Sequence, residues 1–171
     1  MVGNKRQGWL LAGIAAVAMV VAGGLAWAVA GNGAGSERPA SADSDVVKVY
    51  KTPQCGCCTD WVDYIRDEGF SVEYKDVTHE ELNAMKQEAG VSRDLASCHT
   101  AFVGGYVVEG HVPAADIRRL LDERPDDVDG IAVPGMPIGS PGMEIGGRKD
   151  PYDVVTFSGG ERVGTFSSYH Q

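Results

Sequence analysis

The chain has 171 residues, enough for one domain of ordinary size and a terminal appendage, with 24 acidic and 15 basic residues and a formal net charge of −9. No basic stripe or interleaving of aromatic and basic residues breaks the acidity, which argues against a nucleic-acid partner. The four cysteines do not spread along the chain: Cys55, Cys57 and Cys58 fall together, and only Cys98 lies apart.

In chain order, the first element is a run from Trp9 to Ala30 of about 22 uncharged residues, long enough to span a bilayer as a helix. Lys5 and Arg6 precede it and Glu37, Asp43 and Asp45 follow, so the positive-inside bias keeps the N-terminus in the cytoplasm and places the rest on the outer face. The competing account is a cleaved secretory signal, because Ala28-Val29-Ala30 before Gly31 fits a small-x-small cleavage pattern. Both accounts export the remainder of the chain, and residues 1–30 are assigned as anchor or signal. Residues 31–45, rich in Gly, Ala and Ser, read as a flexible tether.

The globular domain is assigned to residues 46–171. "VVKVY" is a buried strand candidate ending at Thr52-Pro53. A helix from Cys57 to Glu68 follows, with Cys58, Trp61, Val62 and Ile65 on one face and Gly69 as its stop. "FSVEYKDV" alternates as a second strand, and Thr78 to Glu81 supplies a capping box for a helix through Ala89. After Cys98-His99-Thr100, "AFV", Gly104-Gly105 and "YVVEG" predict a hairpin. Pro113 opens a helix with Ala114, Ile117, Leu120 and Leu121 on its apolar stripe, and Pro125 ends it.

That order, strand, helix, strand, helix, hairpin, helix, predicts an α/β sandwich of the thioredoxin kind. Ala132 to Asp153 is dense in Gly and Pro and predicts a loop excursion that packs back onto the domain. "VVTF" and "VGTF" around Gly159-Gly160 predict a terminal hairpin.

Cys55 and Cys58 form a C-x-x-C pair at a strand-to-helix junction, where free N–H groups and the helix dipole favour thiolate. Cys57 is extra to a plain redox motif, and Gly56 offers backbone freedom to turn it towards the other two. In the predicted topology, Cys98 and His99 lie before the third strand and face the same point. Three readings are open: a Cys55–Cys58 disulfide staple, a thiol-disulfide oxidoreductase with Cys55 attacking, and a metal site. Four thiols and an imidazole favour metal. Soft thiolates that crowd and bridge favour several Cu(I) ions over zinc. Met136 and Met143 in the excursion could hold Cu(I) weakly, and His111 is a candidate supporting residue at the strand-to-helix junction. His79 and His170 read as solvated positions.

At "YKTPQCGCCTDWVDYIRDEGF", "ASCHTAFVGGYVVEGHVPAADIRRLL", "AVPGMPIGSPGME" and "DPYDV" the sequence resembles the CopG-type family of exported, cysteine-rich proteins linked to bacterial copper resistance. The resemblance spans Val46 to Tyr169. It implies a thioredoxin-like fold and copper bound by Cys55, Cys57, Cys58 and Cys98, with His99 adjacent. It also implies a role in copper handling or in switching the oxidation state of copper. The expectation is a metal-binding protein, with redox activity on copper or thiols left open, and with copper ions, the membrane and a copper-transfer protein as partners.

Overall fold

The computed structural model describes residues 46–171. The predicted membrane segment Trp9–Ala30 and the tether at residues 31–45 lie outside the described residues. Among the described residues, no helix is long and apolar enough to cross a membrane.

The elements are β1 (Val46–Lys51), α1 (Gly56–Asp67), β2 (Ser71–Asp76), α2 (His79–Glu88), β3 (Thr100–Val103), β4 (Tyr106–Glu109), α3 (Ala114–Glu123), β5 (Gly130–Ala132), β6 (Tyr152–Ser158) and β7 (Glu161–Tyr169). They form a mixed α/β structure on one seven-stranded sheet in the order β2-β1-β3-β4-β5-β6-β7. The pair β1/β2 is parallel with α1 as its crossover, and β4/β5 is parallel with α3 as its crossover. The remaining pairings are antiparallel.

The period of two along the strands divides the core. Val108, Ile131 and Val154 belong to one buried cluster with Trp61, Val62 and Ile65 of α1 and Ile117 and Leu120 of α3. Their chain neighbours Val107, Ala132 and Val155 belong to a second cluster with Val91 and Leu95, which follow α2. The sheet is thus covered on both faces, and α1 is anchored through Trp61, whose indole N–H donates to the carbonyl of Val112 at 2.9 Å.

The predicted elements from β1 to α3 are present in order. The capping box at Thr78 forms as expected, with Glu81 N–H donating to Thr78 Oγ1 and the Glu81 carboxylate accepting from Thr78 N–H. Several bounds differ from the sequence reading: α1 and α2 each end one residue early, and the excursion yields Ala132 to β5 and Tyr152 and Asp153 to β6. Helix α1 begins at Gly56, one residue before the predicted start. The sheet also gains β5, which the sequence hides because three residues carry too little pattern to read. Gly130 is obligatory there, since any Cβ would collide with the Val107 backbone of β4.

Candidate metal centre

Strand β1 delivers the chain to a turn in which Cys55 N–H donates to the Thr52 carbonyl at 3.1 Å. Cys55 then takes the N-cap position of α1 in an extended conformation, with φ −78° and ψ 93°. Its side chain makes no capping hydrogen bond, and the positive end of the helix dipole at this terminus favours thiolate. Cys55 and Cys58 are joined as a disulfide across a Cα separation of 5.3 Å. Cys57 and Cys98 are free thiols.

The sequence reading gave Gly56 the task of turning Cys57 inward, and the structure corrects it. Gly56 is the first helical residue and is absent from the positive-φ positions. The bend occurs one residue earlier, at Cys55, whose extended N-cap backbone swings its own sulfur to 3.6 Å from that of Cys57.

The fourth thiol arrives through the sheet. Strand β3 pairs with β1 with Thr100 opposite Tyr50, which sets the residues before β3 against the loop after β1. The sulfurs of Cys55, Cys57, Cys58 and Cys98 all lie within 4.8 Å of one another. Cys98 Sγ also stands 3.3 Å from His99 Nδ1 and 3.0 Å from His111 Nε2.

His111 therefore sits closer to the cysteine cluster than a distant supporting residue would. The signal for it was in the hairpin register: Thr100 pairs with Glu109, and two residues outward on each strand lie Cys98 and His111. Its Nδ1 lies 2.8 Å from the Pro141 carbonyl, which can only accept. In the neutral ring that bond puts the proton on Nδ1 and leaves the Nε2 lone pair facing Cys98.

Both imidazoles are fully buried. Burial holds His99 well below the usual histidine range, and the neighbouring His111 adds to the effect. Burial also lowers His111, opposed by the Pro141 carbonyl. The Cys98 thiol is pushed up to about 12 by burial, with Cys57 beside it. The metal-free centre thus holds neutral rings and a protonated Cys98 thiol. His99 Nε2 is buried without a hydrogen-bond partner, and the ring lies 4.4 Å from that of Trp61.

The Gly/Pro excursion packs back as predicted. Gly142, at φ +78°, approaches α1 so closely that a Cβ would lie 2.7 Å from Trp61 N and 2.8 Å from the Cys57 carbonyl oxygen. Met143 follows it directly and is partly buried, whereas Met136 is 53% exposed and lines a separate cleft with Pro134, Pro137 and Tyr152. His79 and His170 are exposed and join neither potential metal-binding group among the described residues.

The donor set suits a soft metal ion: sulfurs within bridging reach of one another and neutral imidazoles with available lone pairs. A solved structure described as copper resistance protein CopG, form 1, is similar at 41% identity and a TM-score of 0.67, covering 72% of this chain and 96% of that one. The chain belongs to the CopG-type copper-resistance family. Form 2 is similar at 42% identity and a TM-score of 0.65, covering 72% of this chain and 97% of that one. A family model described as "Protein of unknown function, DUF411" matches residues 95–143, the stretch of this CopG-type chain that contains Cys98, His99, His111 and the Gly142 contact. No curated protein matches the chain.

Proposed function

We propose that this CopG-type chain is an exported copper-binding protein that takes up Cu(I) through Cys55, Cys57, Cys58 and Cys98, with His99 and His111 as nitrogen donors beside them. The observation that carries the reading is the convergence of four sulfurs within 4.8 Å. Cu(I) is soft and binds thiolates well, and sulfurs this close can bridge more than one ion. Zinc is the weaker alternative, because a structural zinc site takes four donors around one ion and leaves the histidines without a role.

Uptake by all four sulfurs requires an external dithiol reductant to deliver two electrons to the Cys55–Cys58 bond, the dithiol becoming a disulfide, so that both sulfurs are released as thiolates for the metal. It also requires Cys98 to lose its proton, since thiolate is the ligand form. The order β2-β1-β3-β4 with α1, α2 and α3 supports a thioredoxin-like reading of the first half, which β5, β6 and β7 extend. Residues 1–30 act as a single-pass anchor with the N-terminus inside, or as a cleaved signal, and residues 31–45 tether the domain on the outer face. Met143, next to the Gly142 contact, is the better placed methionine for receiving copper, and the exposed Met136 suits exchange with a copper-transfer protein. Copper handling in resistance, by storage or transfer, is the role this chemistry serves. The test is Cu(I) uptake by the reduced chain and by Cys57→Ser and Cys98→Ser variants, where unchanged stoichiometry in both variants would remove the four-sulfur site.

The disulfide favours one second reading. Cys55 is partly exposed and Cys58 is buried, the arrangement in which an incoming thiol attacks Cys55. A thiol-disulfide oxidoreductase would need Cys55 and Cys58 for its activity and would tolerate Cys57→Ser and Cys98→Ser.

A further inference from the structure

Beneath the metal centre lies an ion pair that the copper chemistry does not use. The Glu109 side chain on β4 is fully buried, and its partner Lys86 on α2 is 8% exposed. Glu109 Oε1 accepts from Lys86 Nζ at 2.5 Å and from the Ser97 backbone N–H at 2.6 Å. Its Oε2 accepts from the Thr100 hydroxyl at 2.7 Å, and Lys86 Nζ donates to Thr100 Oγ1 at 2.9 Å. Taking both charges out of water is costly, and apolar residues of similar volume often serve stability as well. Stability alone does not account for the arrangement.

Its geometry suggests another task. Ser97 and Thr100 are the residues on either side of Cys98-His99, so one carboxylate grips both ends of the step that carries a thiol and an imidazole into the centre. The same step is held a second time from the residue that follows β4, by Gly110 N–H donating to the His99 carbonyl at 3.0 Å. Ser97 lies so close to Gly110 that a side chain there would overlap it. Among the described residues, Glu109 is the carboxylate that Ser97 N–H and the Thr100 hydroxyl reach.

We propose that Glu109, held in place by Lys86, is a positioning residue that sets Cys98 and His99 against the Cys55–Cys57–Cys58 loop. The purpose of the device rests on the copper reading, whereas the placement of Cys98 can be measured without metal. A carboxylate can accept from all three donors, but the amide of Glu109→Gln offers one acceptor oxygen and brings two N–H donors of its own. The Thr100 hydroxyl then meets an N–H group where it had donated to an oxygen, Lys86 faces a neutral amide in place of its buried counter-charge, and the step between residues 97 and 100 shifts.

The experiment uses the full-length oxidised protein, in which Cys57 and Cys98 are the free thiols, and dibromobimane, which becomes fluorescent when it bridges two nearby thiols. Bridging rates are normalised to alkylation of each thiol by a monofunctional reagent. Misplacement of about an ångström costs such proximity-dependent reactions on the order of tenfold or more, so Glu109→Gln and Thr100→Val should slow bridging by about tenfold. Thr100→Ser, which keeps the hydroxyl, should bridge at the wild-type rate. Val154→Ala, a core change on β6, supplies a comparison for general loss of stability. In the reduced protein, Cu(I) affinity should fall by about ten- to a hundredfold in Glu109→Gln, the range for groups that orient metal ligands.

Bridging in Glu109→Gln and Thr100→Val at the wild-type rate, or slowed no more than in Val154→Ala, would overturn the proposal. If Glu109→Gln does not fold, Thr100→Val and Thr100→Ser carry the test, since valine keeps the volume and serine keeps the hydroxyl. Slowed bridging in a protein whose wild type takes up no Cu(I) would sustain the positioning role and refute the copper reading. Copper uptake with unaffected bridging would do the reverse.

Discussion

Replacing Gly142 by alanine places a methyl group where the structure has no room for one. The new Cβ would stand 2.7 Å from Trp61 N, 2.8 Å from the Cys57 carbonyl oxygen and 3.1 Å from Trp61 Cα. These are backbone atoms of α1, and Trp61 is wholly buried and fixed by its bond to Val112. The helix therefore cannot yield cheaply. The left-handed backbone at φ +78° adds about 1–2 kcal/mol for a residue with a Cβ, and overpacking adds about 1–3 kcal/mol. Relief comes from lifting the excursion, which also breaks the hydrogen bond from His111 Nδ1 to the Pro141 carbonyl. The expected loss is about 2–5 kcal/mol in urea unfolding of the metal-free protein. Gly146 provides the control, because it too has positive φ, +59°, but nothing lies within 4 Å of its Cβ position. Gly146→Ala should cost only the backbone contribution, about 1–2 kcal/mol. Equal losses in the two variants would refute the close-approach argument.

Cys57→Ser should lower the copper bound by the reduced chain while the Cys55–Cys58 disulfide still forms on oxidation, as read by metal analysis and thiol titration; undiminished copper would dismiss Cys57 as a donor. Stability of the metal-free protein should fall as the pH drops below about 6.5. His99 and His111 titrate lower when folded than at their free value of 6.5, so the unfolded chain binds more protons there. The contribution is complete above that value and is lost towards the folded titration range, with a slope of up to about 1.4 kcal/mol per pH unit for each ring. His99→Gln should flatten this dependence in pH-resolved urea unfolding, and an unchanged slope would count against the buried neutral ring. Thr78→Ala should cost about 1 kcal/mol by removing the hydroxyl that receives Glu81 N–H. No measurable change in thermal unfolding would assign the cap no energetic part.

The sequence made the first half of the fold readable because each element there carries its own punctuation. Thr78 and Glu81 announce α2, Gly104-Gly105 announces the β3–β4 hairpin, and Pro113 stands at the N-cap of α3. Strand β5 has no such signal: it is three residues long, and what makes it a strand is burial between β4 and β6. The cysteine pattern announced a site, but spacing along the chain could not locate the bend that brings Cys57 to Cys55, because that depends on where α1 begins. The place of His111 is hidden from the sequence for a related reason. Its proximity to Cys98 follows from strand register, and its ring orientation follows from Pro141, thirty positions away, in an excursion whose course no local pattern predicts.

The central claim is tested most directly by an anaerobic Cu(I) titration of the fully reduced full-length chain against a competing chelator, with Cys98→Ser and a zinc titration in parallel. The four-sulfur account predicts tight uptake of more than one Cu(I) per chain, reduced in Cys98→Ser and not matched by zinc. Uptake that is absent, or that is the same in Cys98→Ser as in the wild type, would contradict it and leave Cys55 and Cys58 as a thiol-disulfide pair.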